Sequence, residues 1–248
     1  MRIMIVNDDG IYSPGILALA QVASEFGHVT IVAPDGERSS TGHAVTHSRP
    51  LSYRKTPIAG FEAFRVDGTP ADCVAVGFSI SEKADVVLSG INLGHNLGNS
   101  MWHSGTLAGA KQAALMGSRG IALSSPISNA EPDFERLKPH VSEVLKLLIS
   151  DATFPLINVN FPLAPRGHLW TRQSVRHYDG KIVPVRDPLG RQLYWFTVVP
   201  MEEAEEGTDR WAIERGLVSI TPLRLDLTDH AALKQAPTLT GGGSPAQS

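Results

Sequence analysis

Short, almost wholly apolar segments alternate with stretches of helical periodicity through residues 1–160, and this alternation limits the fold more than any other feature of the chain. The run Ile3-Met4-Ile5-Val6 leads into a polar loop, a helical stretch over 15–26 and a second apolar run, 29–33. A continuous apolar strand needs cover on both faces, and the helices joining successive strands supply it. Thr69 then opens another helix as its cap, with Pro70 in the first turn and Asp72 where a carboxylate meets the positive end. That helix leads to a third buried strand, 85–89. After a loop over 90–104, a helix over 105–116, a strand at 121–124, a helix over 134–149 and a strand at 156–160 complete the series. Repeated units of this kind predict an α/β fold built on a doubly wound, mostly parallel, Rossmann-like sheet.

Past Pro162 the pattern changes to Pro and Gly punctuation between alternating segments. Residues 182–185 and 193–198 flank the turn Asp187-Pro188-Leu189-Gly190, which predicts a C-terminal β-hairpin elaboration. A short capped helix over 208–216, a strand over 217–221 and a last helix over 229–235 follow. The expected organisation is a catalytic core over 1–165, a hairpin and oligomerisation extension of the same domain over 166–235, and a disordered tail over 236–248, rich in Gly. Leu193, Tyr194, Trp195 and Phe196 are hard to bury within one α/β layer pair, so the extension is expected to mediate self-association.

Composition narrows the partners. With 42% hydrophobic residues the chain can bury a sizeable core, and a net charge of −3 with scattered Lys and Arg lacks the footprint of a duplex nucleic-acid binder. No segment has the length and apolarity of a membrane-spanning helix. Cys73 is the only cysteine and the N-terminus begins as a strand, not a leader, so the expected compartment is the cytoplasm.

The polar residues gather where strands end. Asn7-Asp8-Asp9-Gly10 follows the first strand, and ligands of open α/β sheets bind beyond the carboxyl ends of strands. Two adjacent carboxylates repel unless a cation lies between them, and Mg²⁺ or Mn²⁺ prefers oxygen ligands. Asp-Gly sequences also form turns and helix caps, so position alone leaves both readings open for Asp8 and Asp9. The second strand ends in Glu37-Arg38-Ser39-Ser40-Thr41-Gly42-His43, a loop of hydroxyls suited to a metal or a phosphate. His43 and His47 flank Ala44-Val45-Thr46, which reads as a strand, and no zinc signature accompanies them. The stretch from Ser89 to Gly98 offers Asn92 and Asn96 between glycines but is neither a dinucleotide fingerprint nor a Walker loop. Last, His103-Ser104-Gly105-Thr106 opens a helix whose N-terminus suits an anion, although Ser104 also fits an ordinary cap.

In combination these segments resemble the SurE (survival protein E) family. The matching runs are Asn7-Asp8-Asp9-Gly10-Ile11 with Pro14-Gly15, Val32-Ala33-Pro34-Asp35 with Arg38-Ser39 and Gly42-His43, and Gly68-Thr69-Pro70-Ala71-Asp72-Cys73-Val74. Further along come Ser89-Gly90-Ile91-Asn92 with Asn96-Leu97-Gly98, His103-Ser104-Gly105-Thr106, Glu206-Gly207-Thr208-Asp209 and Val218-Ser219-Ile220-Thr221-Pro222-Leu223. The likeness implies a metal-dependent phosphatase acting on nucleoside 5′- and 3′-monophosphates, and on short polyphosphates. It implies that Asp8, Asp9, Ser39 and Asn92 ligate one divalent ion (Mg²⁺ or Mn²⁺), with Ser40 a hydroxyl one step from Ser39. Asn96, Ser104, Gly105 and Thr106 would surround the phosphate, and the chain would form dimers, or tetramers, with exchanged C-terminal segments.

The implied chemistry is attack on phosphorus by a metal-activated water, with Asp8 orienting it or accepting its proton. Leaving-group protonation has no clear owner; His43 and His103 are the nearest candidates in sequence. A nucleotide-dependent transferase could also use acidic metal ligands on a parallel sheet, but it needs an acceptor domain that 248 residues hardly accommodate. A non-catalytic nucleotide-binding regulator would carry the phosphate site without the activated water.

Overall fold

The computed structural model describes residues 1–127, 133–150, 153–175, 180–198 and 204–236. Strand β1 (Arg2–Val6) is fully buried beyond its first residue and pairs in parallel with β2 (His28–Pro34) on one side and β5 (Val86–Leu93) on the other. Helix α1 (Pro14–Ala23) returns the chain from β1 to β2. On the far side of β2 lies β4 (Glu62–Val66), again parallel, edged by the short antiparallel β3 (Tyr53–Lys55). Helix α2 (Pro70–Ile80) then carries the chain back across β1 to β5. From there α3 (Gly105–Leu115), β6 (Arg119–Ser125), α4 (Phe134–Ser150) and β7 (Leu156–Asn160) extend the parallel sheet outward. The C-terminal segment adds β11 (Val218–Pro222) antiparallel to β7, with β8 (His168–Trp170) at the edge. The sheet order is β3-β4-β2-β1-β5-β6-β7-β11-β8, the doubly wound arrangement expected from the sequence.

Helices α1 and α4 pack together on one face of the sheet, and α2 and α3 on the other. Helix α4 shows why its sequence is helical. Its buried residues Phe134, Leu137, Val141, Val144, Leu145 and Leu148 recur every three or four positions and join Ile5, Leu88 and Ile121 in the larger core cluster. Pro139 is the sixth residue of this helix, past its first turn, so the main-chain N–H it lacks removes the helical bond to the carbonyl of Glu135. Helix α2 begins with the capping box anticipated from Thr69 and Asp72: the Thr69 hydroxyl accepts from Asp72 N at 3.1 Å, and Asp72 Oδ2 accepts from Thr69 N at 2.9 Å.

Three strands were not expected. Strand β4 has only Ala63 and Val66 fully buried among Glu62, Phe64 and Arg65, and β3 and β8 span three residues each, too few for periodicity to register. Strand β5 also runs on to Leu93, with an irregular register between Ser89 and Asn92, because Asn92 and Leu93 pair with Ser124 and Ser125 of β6. Conversely, residues 44–46 form no strand. Their polar groups go to the start of α2: Thr46 donates its N–H and hydroxyl to Asp72 at 2.9 and 2.7 Å, and Ala44 O accepts from Thr69 Oγ1 at 2.7 Å.

The hairpin elaboration is present as β9 (Gly180–Arg186) and β10 (Gln192–Val198), an antiparallel pair separate from the main sheet. Asp187 closes its turn by accepting from the N–H groups of Leu189 and Arg191, both at 2.9 Å. Leu193 is 48% exposed, and Tyr194, Trp195 and Phe196 are each above 60%, so both faces of the hairpin lie open. Helices α5 (Asp209–Glu214) and α6 (His230–Gln235) complete the chain as far as Ala236; the rest of the segment expected to be disordered, 237–248, lies outside the described residues.

Candidate functional site

The winding of the sheet reverses at β1, from which the chain builds first toward β2 and β4 and later toward β5, β6 and β7. Loops leaving the carboxyl ends of β1 and β5 diverge around a crevice at such a switch point. Asp8 and Asp9 leave β1, and Asn92 stands at the end of β5.

Asn7 closes the loop after β1, not the two aspartates. Its amide nitrogen donates to Gly10 O at 3.0 Å and Ser13 Oγ at 2.7 Å. Gly10 supplies the left-handed residue, with φ +96°, and a Cβ there would come within 3.1 Å of the Gly36 backbone. Ser13 is the N-cap of α1, which has no acidic residue in its first turn. The turn and the cap therefore have other owners, and the Asp8 and Asp9 carboxylates are left for the crevice.

Asp8 is 4% exposed and accepts the Thr106 hydroxyl at 2.8 Å. Burial pushes its carboxyl above the usual range, opposed by the Thr106 hydroxyl and N–H. Asp9, half-buried, is pushed up to about 6 by burial first and by the Asp8 charge second, with Glu37 acting the same way; the Leu93 N–H, 3.4 Å from Oδ2, is its counterweight. Among the described residues the charges that act on Asp9, those of Asp8 and Glu37, are both negative.

The loop after β2 is tied to this pair through Arg38 N, which donates to Asp8 O at 2.7 Å. Ser39 is exposed and donates to Glu37 at 2.7 Å, which leaves its oxygen lone pairs open. Ser40 is exposed too, at φ +57°. Asn92 donates its amide nitrogen to Gly94 O at 2.7 Å, so its amide oxygen is the free end. Oxygen donors on Asp8, Asp9, Ser39 and Asn92, with no cation among the charges on Asp9, form a set that fits a hard divalent ion.

The start of α3 abuts Asp8. A Cβ on Gly105 would lie 2.8 Å from both Cβ and Oδ2 of Asp8, so no larger residue lets the helix approach this closely. Ser104 caps α3 by accepting from Leu107 N at 3.0 Å. The Thr106 hydroxyl both donates and accepts: it donates to Asp8 and accepts from Asn96 Nδ2 at 3.2 Å. Asn96, 7% exposed, gives its other amide hydrogen to Ser124 Oγ at 2.9 Å. For an anion α3 therefore has its first-turn main-chain N–H groups and the Ser104 O–H, whose hydrogen is not used by the cap, whereas the Thr106 hydrogen goes to Asp8. His43 bonds Gln112 of α3 at 2.8 Å, and His103 O accepts from Gly42 N at 3.0 Å, so both histidines help seat the loop after β2.

Sequence reasoning missed the residues that hold Asn96. Asn160 accepts from Asn96 N at 2.8 Å and donates to Asn96 O at 3.2 Å, and Asn158 donates to the same oxygen at 2.7 Å. Both lie fully buried on β7. Two asparagines alternating through an apolar strand, in Leu156-Ile157-Asn158-Val159-Asn160, were the available signal, since buried amides need partners.

Comparison with known proteins identifies the family. A sequence model described as "Survival protein SurE" matches residues 3–180. The 5′-nucleotidase SurE 1 of Thermus thermophilus is 45% identical, covering 99% of this chain and 100% of its own length. The 5′-nucleotidase SurE of Deinococcus radiodurans is 41% identical, with 92% and 88% covered. The crystal structure of the SurE protein from Aquifex aeolicus superposes with a TM-score of 0.82 at 38% identity, covering 95% of this chain and 98% of that one. A family match over most of the chain, near-complete alignment with such relatives and the same fold lead to one conclusion: this chain belongs to the survival protein SurE family.

Proposed function

We propose that this chain is a nucleotidase that hydrolyses nucleoside 5′- and 3′-monophosphates, and short polyphosphates, with one Mg²⁺ or Mn²⁺ held by Asp8, Asp9, Ser39 and Asn92. The observation that carries the reading is the uncompensated pair Asp8 and Asp9 beside the start of α3: a place for a cation next to a place for an anion. Relatives named 5′-nucleotidase over nearly full length support the substrate class. When bound, the ion would polarise a phosphoryl oxygen and lower the pKa of a water.

The protein's own groups do the rest. Thr106 fixes one oxygen of Asp8, leaving the other to orient the attacking water and take its proton. Gly105 and Thr106 turn the first N–H groups of α3 toward the transferred phosphate, where fixed donors stabilise developing charge. Asn96 lines the phosphate side and keeps Thr106 in place. The reading includes self-association through the open hairpin β9–β10, as dimers or tetramers with exchanged C-terminal segments, supported by the exposure of Tyr194, Trp195 and Phe196. It also includes action in the cytoplasm; among the described residues no helix is long and apolar enough to cross a membrane.

The test is a panel of nucleoside monophosphates and tripolyphosphate with phosphate detection, run with Mn²⁺ and with chelator. Release that chelator abolishes is expected. Tight nucleotide binding without release would make the protein a regulator, and release only in the presence of an acceptor would make it a transferase.

A further inference from the structure

The loop that carries Asn96 is gripped a second time, from the far end of the chain. Asp209, at the start of α5, is fully buried, and its Oδ2 accepts from Gly98 N at 2.8 Å. Its Oδ1 accepts from Ser174 N at 3.0 Å and Arg210 N at 2.8 Å. A buried carboxylate met by three main-chain N–H groups is held by directional bonds that a neutral amide, with one oxygen, cannot reproduce. Gln173 completes the grip by donating to Gly98 O at 3.0 Å. Gly98 is pressed into this contact: at φ +55°, a Cβ would fall 2.5 Å from Ser174 Oγ and 2.6 Å from Ser174 O. Two residues upstream, Asn96 bonds Thr106, which bonds Asp8.

We infer that Asp209 and Gln173 are positioning residues for hydrolysis: by fixing both main-chain groups of Gly98 they set the place of Asn96 and, through it, of Thr106 at the phosphate end of α3. The inference rests on the proposal that Asn96 and the start of α3 surround the phosphate. A wall that shifts there weakens every species that puts a phosphate into the pocket, product as well as substrate. Asp209→Asn is therefore expected to raise KM for a nucleoside monophosphate and the inhibition constant of inorganic phosphate together, each about tenfold, with a smaller fall in kcat. Gln173→Ala should move both constants the same way by less.

The measurement is steady-state kinetics with inorganic phosphate as inhibitor, well below the melting temperature of each variant, with Asn96→Ala run in parallel. If Asp209→Asn melts lower but keeps the wild-type KM and phosphate inhibition, the residue is structural only and the inference is overturned. Should Asp209→Asn not fold, Gln173→Ala decides in its place, and unchanged constants there overturn the inference equally. The parallel variant separates the two levels. If Asn96→Ala alone raises both constants, only the grip from the C-terminal segment is disproved; if Asn96→Ala also leaves them unchanged, the phosphate assignment falls and the inference with it.

Discussion

The Thr106 hydroxyl lies 2.8 Å from Oδ1 of Asp8, two buried groups 98 residues apart in sequence, and through this bond the helix proposed to face the phosphate also aims the carboxylate proposed to face the metal. Thr106→Val keeps the shape and removes the bond, leaving one of the two Asn96 Nδ2 hydrogens without an acceptor. A buried donor left unpaired costs about 1–3 kcal/mol, so the melting temperature should fall. kcat should fall about tenfold or more, because Asp8 is no longer held in one orientation. Thr106→Ser, which keeps the hydroxyl, should retain most of the activity; equal losses in the two variants would show that the bond is not what matters.

Asp8→Asn and Asp9→Asn should each lower activity by about two orders of magnitude or more, roughly 2.7 kcal/mol at 1.36 kcal/mol per decade. Each substitution preserves shape and removes one charge from the proposed ion's oxygen ligands. Wild type should melt higher when Mn²⁺ is added, since a ligand that binds only the native state stabilises it by mass action, and both variants should gain little. Full activity together with a full Mn²⁺ shift in Asp9→Asn would remove Asp9 from the site.

Without metal the order of stability should reverse, and its pH dependence is fixed in sign. The folded-state pKa of Asp9 is raised from an ordinary 3.8 to about 6, so its charged form is disfavoured by folding. The favourable contribution is present in full below 3.8, where the group is protonated in both states, and is lost as pH rises through about 6. Asp9→Asn in chelator should therefore melt higher than wild type at pH 8, with the gap closing between pH 6 and pH 4. Thermal melts of the two proteins across that range provide the check, and a gap independent of pH would contradict the assignment.

The open hairpin makes a prediction of its own. Trp195→Glu and Phe196→Lys place charges on opposite faces of β10 and should shift light-scattering mass toward the monomer at micromolar concentration, with wild type a dimer or larger. A monomeric wild type would remove the proposed role of this segment.

How much of this was legible in the sequence depended on range. Strands β1, β2, β6 and β7 announced themselves because a strand buried on both faces is mostly apolar, as Leu156, Ile157 and Val159 of β7 are even around its two asparagines. Strand β4 did not, since near the sheet edge Glu62 and Arg65 stay partly exposed and break the run. The residues expected at the site could be named because they cluster at strand ends in short motifs. Their division of labour could not, because Thr106 has the same local sequence whether its hydroxyl faces a phosphate or Asp8. Asn158, Asn160 and Asp209 act on a loop 62 to 111 residues away, and no local pattern encodes such a partner.

The bond from Gly98 to Asp209 also sets an order of events during synthesis. The residues expected to touch metal and phosphate are all made by Thr106, yet Gly98 is not fully fixed until Asp209 arrives, 103 residues after Thr106. At a translation rate of about 5–20 residues per second, that separation amounts to roughly 5 to 20 s. Throughout this interval the growing polypeptide carries the reactive side chains but not the clasp that seats their loop. On the inference drawn above, a chain that has not yet made Asp209 holds a phosphate more weakly than the finished protein.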